Sequence, residues 1–431
     1  MINIYKNINS KLSNAKSVMR YLPVVLKSGK GIRVTDIDGK TYLDCVASAG
    51  TIPFGHNHPI INNAIRDFSN NSYPVQTMDI PTELQIDFTN KLYDFLPKKF
   101  SETAKIQMCS PAGGDAVEAA IKLAKIATGR NTILAFQGGY HGQTFGGASI
   151  SGKVRGSFPY SGMSDVHFLP YPSDYRCPLS IGSEGYLNLL EYTEKLFDNP
   201  QSGIGKPAAV ILETVQGEGG VNPAPIPWMK EIRRITEERQ IPLIIDEIQT
   251  GFCRTGKKFG FEHADIQPDI VCFAKAIGGS MPLAAIMHHQ KLDKWTEYQH
   301  SGTWRGNQLA FLTGLRGLEY MEENKLWLNA ESMGNHFKNE LNKFKNDYPF
   351  IGDIRGRGLM LAIEIIHNEE NNSVNPELAD KIQKKCMENG LLVLRGGPFK
   401  NVIRLMPPLN VTQEEIEEVI DIFIRSLKKL Y

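Results

Sequence analysis

The sequence predicts an α/β protein built around a mostly parallel sheet, and three observations lead there. Three runs, "AAVILETV" (208–215), "PLIIDEI" (242–248) and "DIVCFAK" (269–275), are apolar almost throughout, as strands are when helices cover both faces of their sheet. Helix-period segments alternate with them, the element order of parallel α/β folds. The two chain ends read differently from this middle. We therefore expect a small-domain segment at 1–60, a large domain at 61–315 and the rest of a smaller α+β domain at 316–431.

Taken in order, "MINIYKNINSKLSNAKSVMR" at the amino terminus lacks the apolar core and small-residue cleavage site of a signal peptide. "GIRVTDIDGKTYLD" (31–44) alternates around Asp38-Gly39, the signal for a tight hairpin. In "DAVEAAIKLAKIATG" (115–129), Ala116, Ala120, Leu123 and Ala124 share a helix face and Gly129 stops it. "WMKEIRRITEERQ" (228–240) reads as a helix ended before Pro242. "IGDIRGRGLMLAIEI" (351–365) and "GLLVLRGG" (390–397) read as strands, "HNEENNS" (367–373) as a surface loop, and "TQEEIEEVIDIFIRSLKKL" (412–430) as an amphipathic terminal helix.

Forty-eight basic and 47 acidic residues leave a net charge of +1, which offers nucleic acid or an anionic membrane no electrostatic footprint. A small-molecule partner is expected instead. The six cysteines are scattered, with no CxxC pair and no zinc spacing, so we expect no metal and a reducing compartment, the cytoplasm. No stretch is long and apolar enough to span a bilayer.

In open α/β sheets ligands gather at the carboxyl ends of strands, where Asp246 and Lys275 both fall. Spacing alone equally allows Asp246 to cap the next helix, and Lys275 to snorkel to solvent. A lysine behind "IVCFA" also suits a Schiff base, because desolvation lowers an amine's pKa and frees its lone pair. Upstream, Gly113 and Gly114 open a strong helix, a plausible phosphate cradle. A phosphate site, an acid and a lysine together suggest pyridoxal 5′-phosphate. "GFCRTGKK" (251–258) nearly matches a P-loop, but Lys258 stands where the magnesium-binding hydroxyl belongs.

The block "LIIDEIQTGFCRTGKKFGFEHADIQPDIVCFAKAIGGSMPLAAI" (243–286) resembles the signature of the class III, ornithine/4-aminobutyrate type aminotransferases of fold type I, and the likeness covers almost the whole chain. The resemblance implies Lys275 as Schiff-base lysine and proton shuttle, Asp246 facing the pyridinium nitrogen and Gln249 near the phenolic oxygen. Gly113 and Gly114 match the phosphate-binding turn, with Pro111-Ala112 in place of a polar lead-in. Tyr140 in "GGYHGQTFGG" matches the aromatic stacked on the ring, with His141 beside it. Thr303 in "HSGTWRGNQLA" matches the threonine that reaches the phosphate of a neighbouring subunit, so a homodimer or dimer of dimers with shared sites is implied.

For substrate, Arg404 in "VIRLMPPLN" matches the arginine that grips an α-carboxylate, and Glu218 in "ETVQGEGG" the glutamate that pairs with it and swings away. "MPLAAIMHHQKLDKW" with the Thr303 segment is most like members that act on diaminobutyrate. The expected reaction moves the terminal amino group of L-2,4-diaminobutyrate to 2-oxoglutarate, giving aspartate 4-semialdehyde and glutamate. Gln143 replaces the arginine that ornithine-type members use for a γ-carboxylate, so the group holding the oxo acid's distal end is open. The alternatives are another ω-amine donor (ornithine, 4-aminobutyrate, acetylornithine), an amino-acid epimerase, or a catalytically silent protein on the same fold.

Overall fold

A computed structural model describes residues 2–15, 22–152, 162–180, 182–368, 370 and 372–430. The amino-terminal reading falls outside the described residues at 1 and 16–20, and the 367–373 loop at 369 and 371.

The amino-terminal hairpin forms where the Asp38-Gly39 signal puts it. Strands β1 (Leu26–Lys30), β2 (Arg33–Asp36) and β3 (Thr41–Asp44) pair antiparallel, with Val34 opposite Tyr42. Asp36 ties the turn by accepting from the Asp38 and Lys40 amides at 3.0 and 2.9 Å, and Gly39 takes the φ of +87° that the turn requires.

The central sheet has seven strands: β4 (Ala104–Cys109), β5 (Ile133–Phe136), β6 (Val166–Leu169), β7 (Ala209–Leu212), β10 (Leu243–Asp246), β11 (Ile270–Phe273) and β12 (Ala284–His289), in the order β4-β12-β11-β10-β7-β5-β6. Only β12 runs against the others. β5, β7, β10 and β11 are buried along their whole length, which explains why their sequences do not alternate. The expected run 208–215 divides: β7 stops at Leu212, and β8 (Val215–Gln216) pairs with β9 (Asn222–Pro223) in a separate ribbon.

The carboxyl-terminal region makes an antiparallel sheet β13-β14-β17-β16 from β13 (Ile351–Arg357), β14 (Met360–Ile365), β16 (Leu394–Gly396) and β17 (Val402–Leu405). β15 (Leu391–Leu392) instead joins the amino-terminal hairpin, with Leu391 opposite Leu43, so the two ends of the chain share a sheet. Among the described residues no helix is long and apolar enough to cross a membrane.

Candidate active site

Parallel strands bring their carboxyl ends to one edge, and there the chain gathers its buried charges. Asp246 ends β10, buried, with Oδ1 accepting from the Ile248 amide at 3.0 Å. Its Oδ2 lies 2.8 Å from Nδ1 of His141, also buried, in the loop after β5. A carboxylate only accepts, so His141 Nδ1 carries the proton. Burial alone would lower the histidine's pKa; the bond and charge of Asp246, with the charge of Glu213, outweigh it and raise it.

Glu213, the residue after β7, is a further buried acid. Its two oxygens accept from the amides of Tyr140 (3.0 Å) and Gly217 (2.8 Å). Burial pushes its pKa up to about 7, His141 opposing and Asp246 adding to the rise. Sequence reasoning missed it, although it follows four apolar strand residues just as Asp246 follows three.

Lys275 stands two residues beyond β11, at the start of a short 3₁₀ turn, with φ of +55°. An L-residue is rarely held there without a reason. Burial lowers its amine to about 8; Asp246, Glu213 and Glu218 oppose this and Arg404 reinforces it. Its Nζ makes no hydrogen bond or ion pair among the described residues.

The helix Gly113–Thr128 follows β4, and its N-cap, Ala112, supplies no side-chain acceptor. The amides of Gly113 and Gly114 have no partner among the described residues. A Cβ on Gly113 would lie 2.9 Å from Ile248 Cδ1, and one on Gly114 2.9 Å from Thr144 Cγ2. Glycine thus keeps open a space between the residues that follow Asp246 and those that follow Tyr140.

Arg404 on β17 is ion-paired to Glu218, and its Nη2 donates to Gln249 Oε1 at 3.2 Å. Gln249 Nε2 donates to the Ala49 carbonyl at 3.1 Å, at the end of the left-handed run Ala47-Ser48-Ala49. Gln249 therefore links the two chain ends to the central sheet. Burial raises the Tyr140 hydroxyl's pKa, with a hydrogen bond to Gln143 opposing. Thr303 lies apart from this group: it is exposed, and its carbonyl accepts from Gln76 Nε2 at 3.0 Å. In the P-loop-like run, Lys258 pairs with Glu322 at 2.9 Å and lies over the Phe95 and Trp327 rings. Only the short turn Gly260–Ala264 follows, so no helix start cradles a phosphate there.

A lysine amine with a lowered pKa, a histidine-backed carboxylate and two unpartnered amides at a helix start fit what pyridoxal 5′-phosphate asks of a protein. The architecture is that of the fold type I enzymes that use this cofactor. The model of the class-III aminotransferases matches residues 14–427, and the chain belongs to that family: it is a pyridoxal-phosphate-dependent transaminase. It is 44% identical over 423 residues to a diaminobutyrate–2-oxoglutarate aminotransferase of Haemophilus influenzae, covering 96% of this chain and 92% of the relative. It is 42% identical over 429 residues to an enzyme of the same name from Rhizobium meliloti, covering 97% and 91%. Among solved structures it is similar to an amine transaminase from an uncultivated Pseudomonas species in the PLP-bound form, at 28% identity, TM-score 0.87 and 97% coverage of both chains. An (S)-enantioselective omega-transaminase from Thermomicrobium roseum aligns at 27% identity and TM-score 0.88, covering 99% of this chain and 98% of the other.

Proposed function

We propose that this transaminase moves the terminal amino group of L-2,4-diaminobutyrate to 2-oxoglutarate, yielding aspartate 4-semialdehyde and glutamate. One observation carries the two-substrate reading: Arg404, with a side chain only 5% exposed, is neutralised by Glu218, whose side chain is 30% exposed. A buried arginine wants a constant counter-charge. Glu218 supplies it while the amino donor reacts and gives way when the oxo acid brings a carboxylate. The choice of donor rests on the relatives named above.

When bound, pyridoxal phosphate supplies an aldehyde for the amine and a ring that accepts an electron pair. Lys275 would hold that aldehyde, and its Nζ would take the proton from the carbon that bears the reacting amine. With a pKa of about 8, roughly a tenth of such amines are unprotonated at pH 7, against fewer than about one in a thousand for an ordinary lysine. Asp246, backed by His141, would face the ring nitrogen, and Tyr140 the ring. The Gly113 and Gly114 amides would hold the phosphate and Gln249 the phenolic oxygen.

A homodimer or dimer of dimers completes the proposal, with Thr303 reaching the partner's phosphate. Val75, Met78, Ile80, Tyr298 and Trp304 are exposed; Gln76 pairs with Thr303 and Met78 and Tyr298 line one cavity, which supports an apolar patch of the kind that marks an interface. The six cysteines are free and buried, which supports the cytoplasm. Membership of the central strands, all between 104 and 289, supports the domain division at 60 and 315.

The test is the visible absorbance of the purified holoenzyme on adding L-2,4-diaminobutyrate, ornithine or 4-aminobutyrate without oxo acid. Conversion by diaminobutyrate alone, reversed by 2-oxoglutarate, is expected. Equal conversion by ornithine overturns the donor assignment, and turnover without any oxo acid makes the protein an epimerase.

A further inference from the structure

Arg254 belongs to the P-loop-like run, which leads only into the short turn Gly260–Ala264. It is 3% exposed and meets no carboxylate among the described residues. Its Nη1 donates instead to the carbonyls of Leu359 (3.1 Å) and Pro407 (2.6 Å), while its own carbonyl accepts from the Leu359 amide at 3.0 Å. A buried guanidinium without a counter-ion is expensive, so what it holds is informative.

Leu359 immediately precedes β14 and Pro407 lies two residues beyond β17. These strands are antiparallel with Ala362 opposite Arg404, so the two carbonyls mark one end of the strand pair that carries Arg404. On its other side, Arg254 lies five residues past Gln249, whose side chain accepts from Arg404. The backbones touch here as well: a Cβ on Gly358 would fall 2.6 Å from the Arg254 carbonyl oxygen and 2.5 Å from Thr255 C.

We propose that Arg254 is a positioning residue for carboxylate recognition: it pins the β14–β17 pair to the turn after Gln249 and so fixes where Arg404 meets its substrate. The proposal rests on the reading of Arg404 as the carboxylate grip. Both bonds come from one nitrogen, Nη1, whose two N–H groups tie the two strand ends to a single point.

The test compares Arg254→Met and Arg254→Lys holoenzymes with the unaltered one. The diaminobutyrate half-reaction, in which Glu218 covers Arg404, and the 2-oxoglutarate half-reaction, in which Arg404 is open, are followed separately, and glutarate binding is measured by calorimetry. Arg254→Met should slow the 2-oxoglutarate half-reaction at low concentration, and lower the glutarate affinity, by about tenfold or more while leaving the diaminobutyrate half-reaction within about twofold, with Arg254→Lys in between. Equal loss in both half-reactions with unchanged glutarate binding would make Arg254 a stability residue and overturn the proposal, as would no change at all. Arg404→Gln, run in parallel, separates the two readings. If it keeps both the 2-oxoglutarate half-reaction and the glutarate affinity, the carboxylate grip lies elsewhere and the premise falls with it. Should Arg254→Met not fold, Arg254→Lys and glutarate binding decide alone.

Discussion

The last helix, Gln413–Lys428, and the carboxyl edge of the central sheet obey opposite local rules. At the helix start, Thr412 Oγ1 accepts from the Glu415 amide (3.3 Å) and Glu415 Oε2 from the Thr412 amide (3.1 Å), a complete capping box. Arg425 and Lys428 lie in its last turn, where the helix dipole favours them, and Ile416, Val419, Phe423 and Leu427 are buried along one face. At the sheet edge the helix Gly113–Thr128 begins uncapped, Lys275 holds a positive φ with no hydrogen-bond or ion-pair partner among the described residues, and Glu213 is buried near His141 and Asp246. Rules are met where only stability is at stake, and suspended where a ligand would complete them.

The largest test of that contrast is Lys275→Ala. Turnover should fall by at least about 10³-fold, because imine partner and proton carrier are lost together, while urea unfolding of the cofactor-free protein stays close to the original. A large loss of stability would mean that Lys275 holds the fold, and the contrast would fail.

Glu213 offers the next test. Its pKa rises from 4.5 unfolded to about 7 folded, so between these values the folded chain binds the extra proton. The stability this contributes is present below about pH 4.5 and is lost as pH rises through 7, on the order of 3 kcal/mol in all. Glu213→Gln should remove that slope, so its stability relative to the unaltered protein should climb from pH 5 to pH 8. Glu247, also raised to about 7, cancels in the comparison. A constant difference across the range would show that Glu213 does not titrate there.

How far the sequence reveals this edge depends on how local each signal is. Asp246 and Lys275 stand out because a charge interrupts an apolar run that needs only a few residues to recognise. Glu213 obeys the same rule but hides, since Val215 extends the apolar run past the true end of β7 into a separate ribbon. Arg254 cannot be read at all, because Leu359 and Pro407 lie more than a hundred residues downstream. Nor can the left-handed Ala47-Ser48-Ala49 run, which contains no glycine to announce it. The hairpin at Asp38-Gly39 and the capped last helix are legible because turn and cap chemistry act over four residues or fewer.

The smallest effects separate the two helix starts most cleanly. Gly114→Ala places a methyl 2.9 Å from Thr144 Cγ2 at the uncapped end, so Thr144 must shift into the space beside the free amides. Alanine is the better helix former by up to about 1 kcal/mol, so the cofactor-free protein should lose no stability while cofactor affinity falls about tenfold, or roughly 1.4 kcal/mol. Thr412→Ala should do the reverse, costing about 1 kcal/mol in urea unfolding and leaving cofactor affinity and both half-reactions unchanged. The free amides at Gly113 and Gly114 are then an incomplete cap that an anion finishes. If Gly114→Ala instead destabilises the cofactor-free protein and leaves affinity unchanged, those amides are satisfied by solvent alone, and the helix start has no special claim on a phosphate.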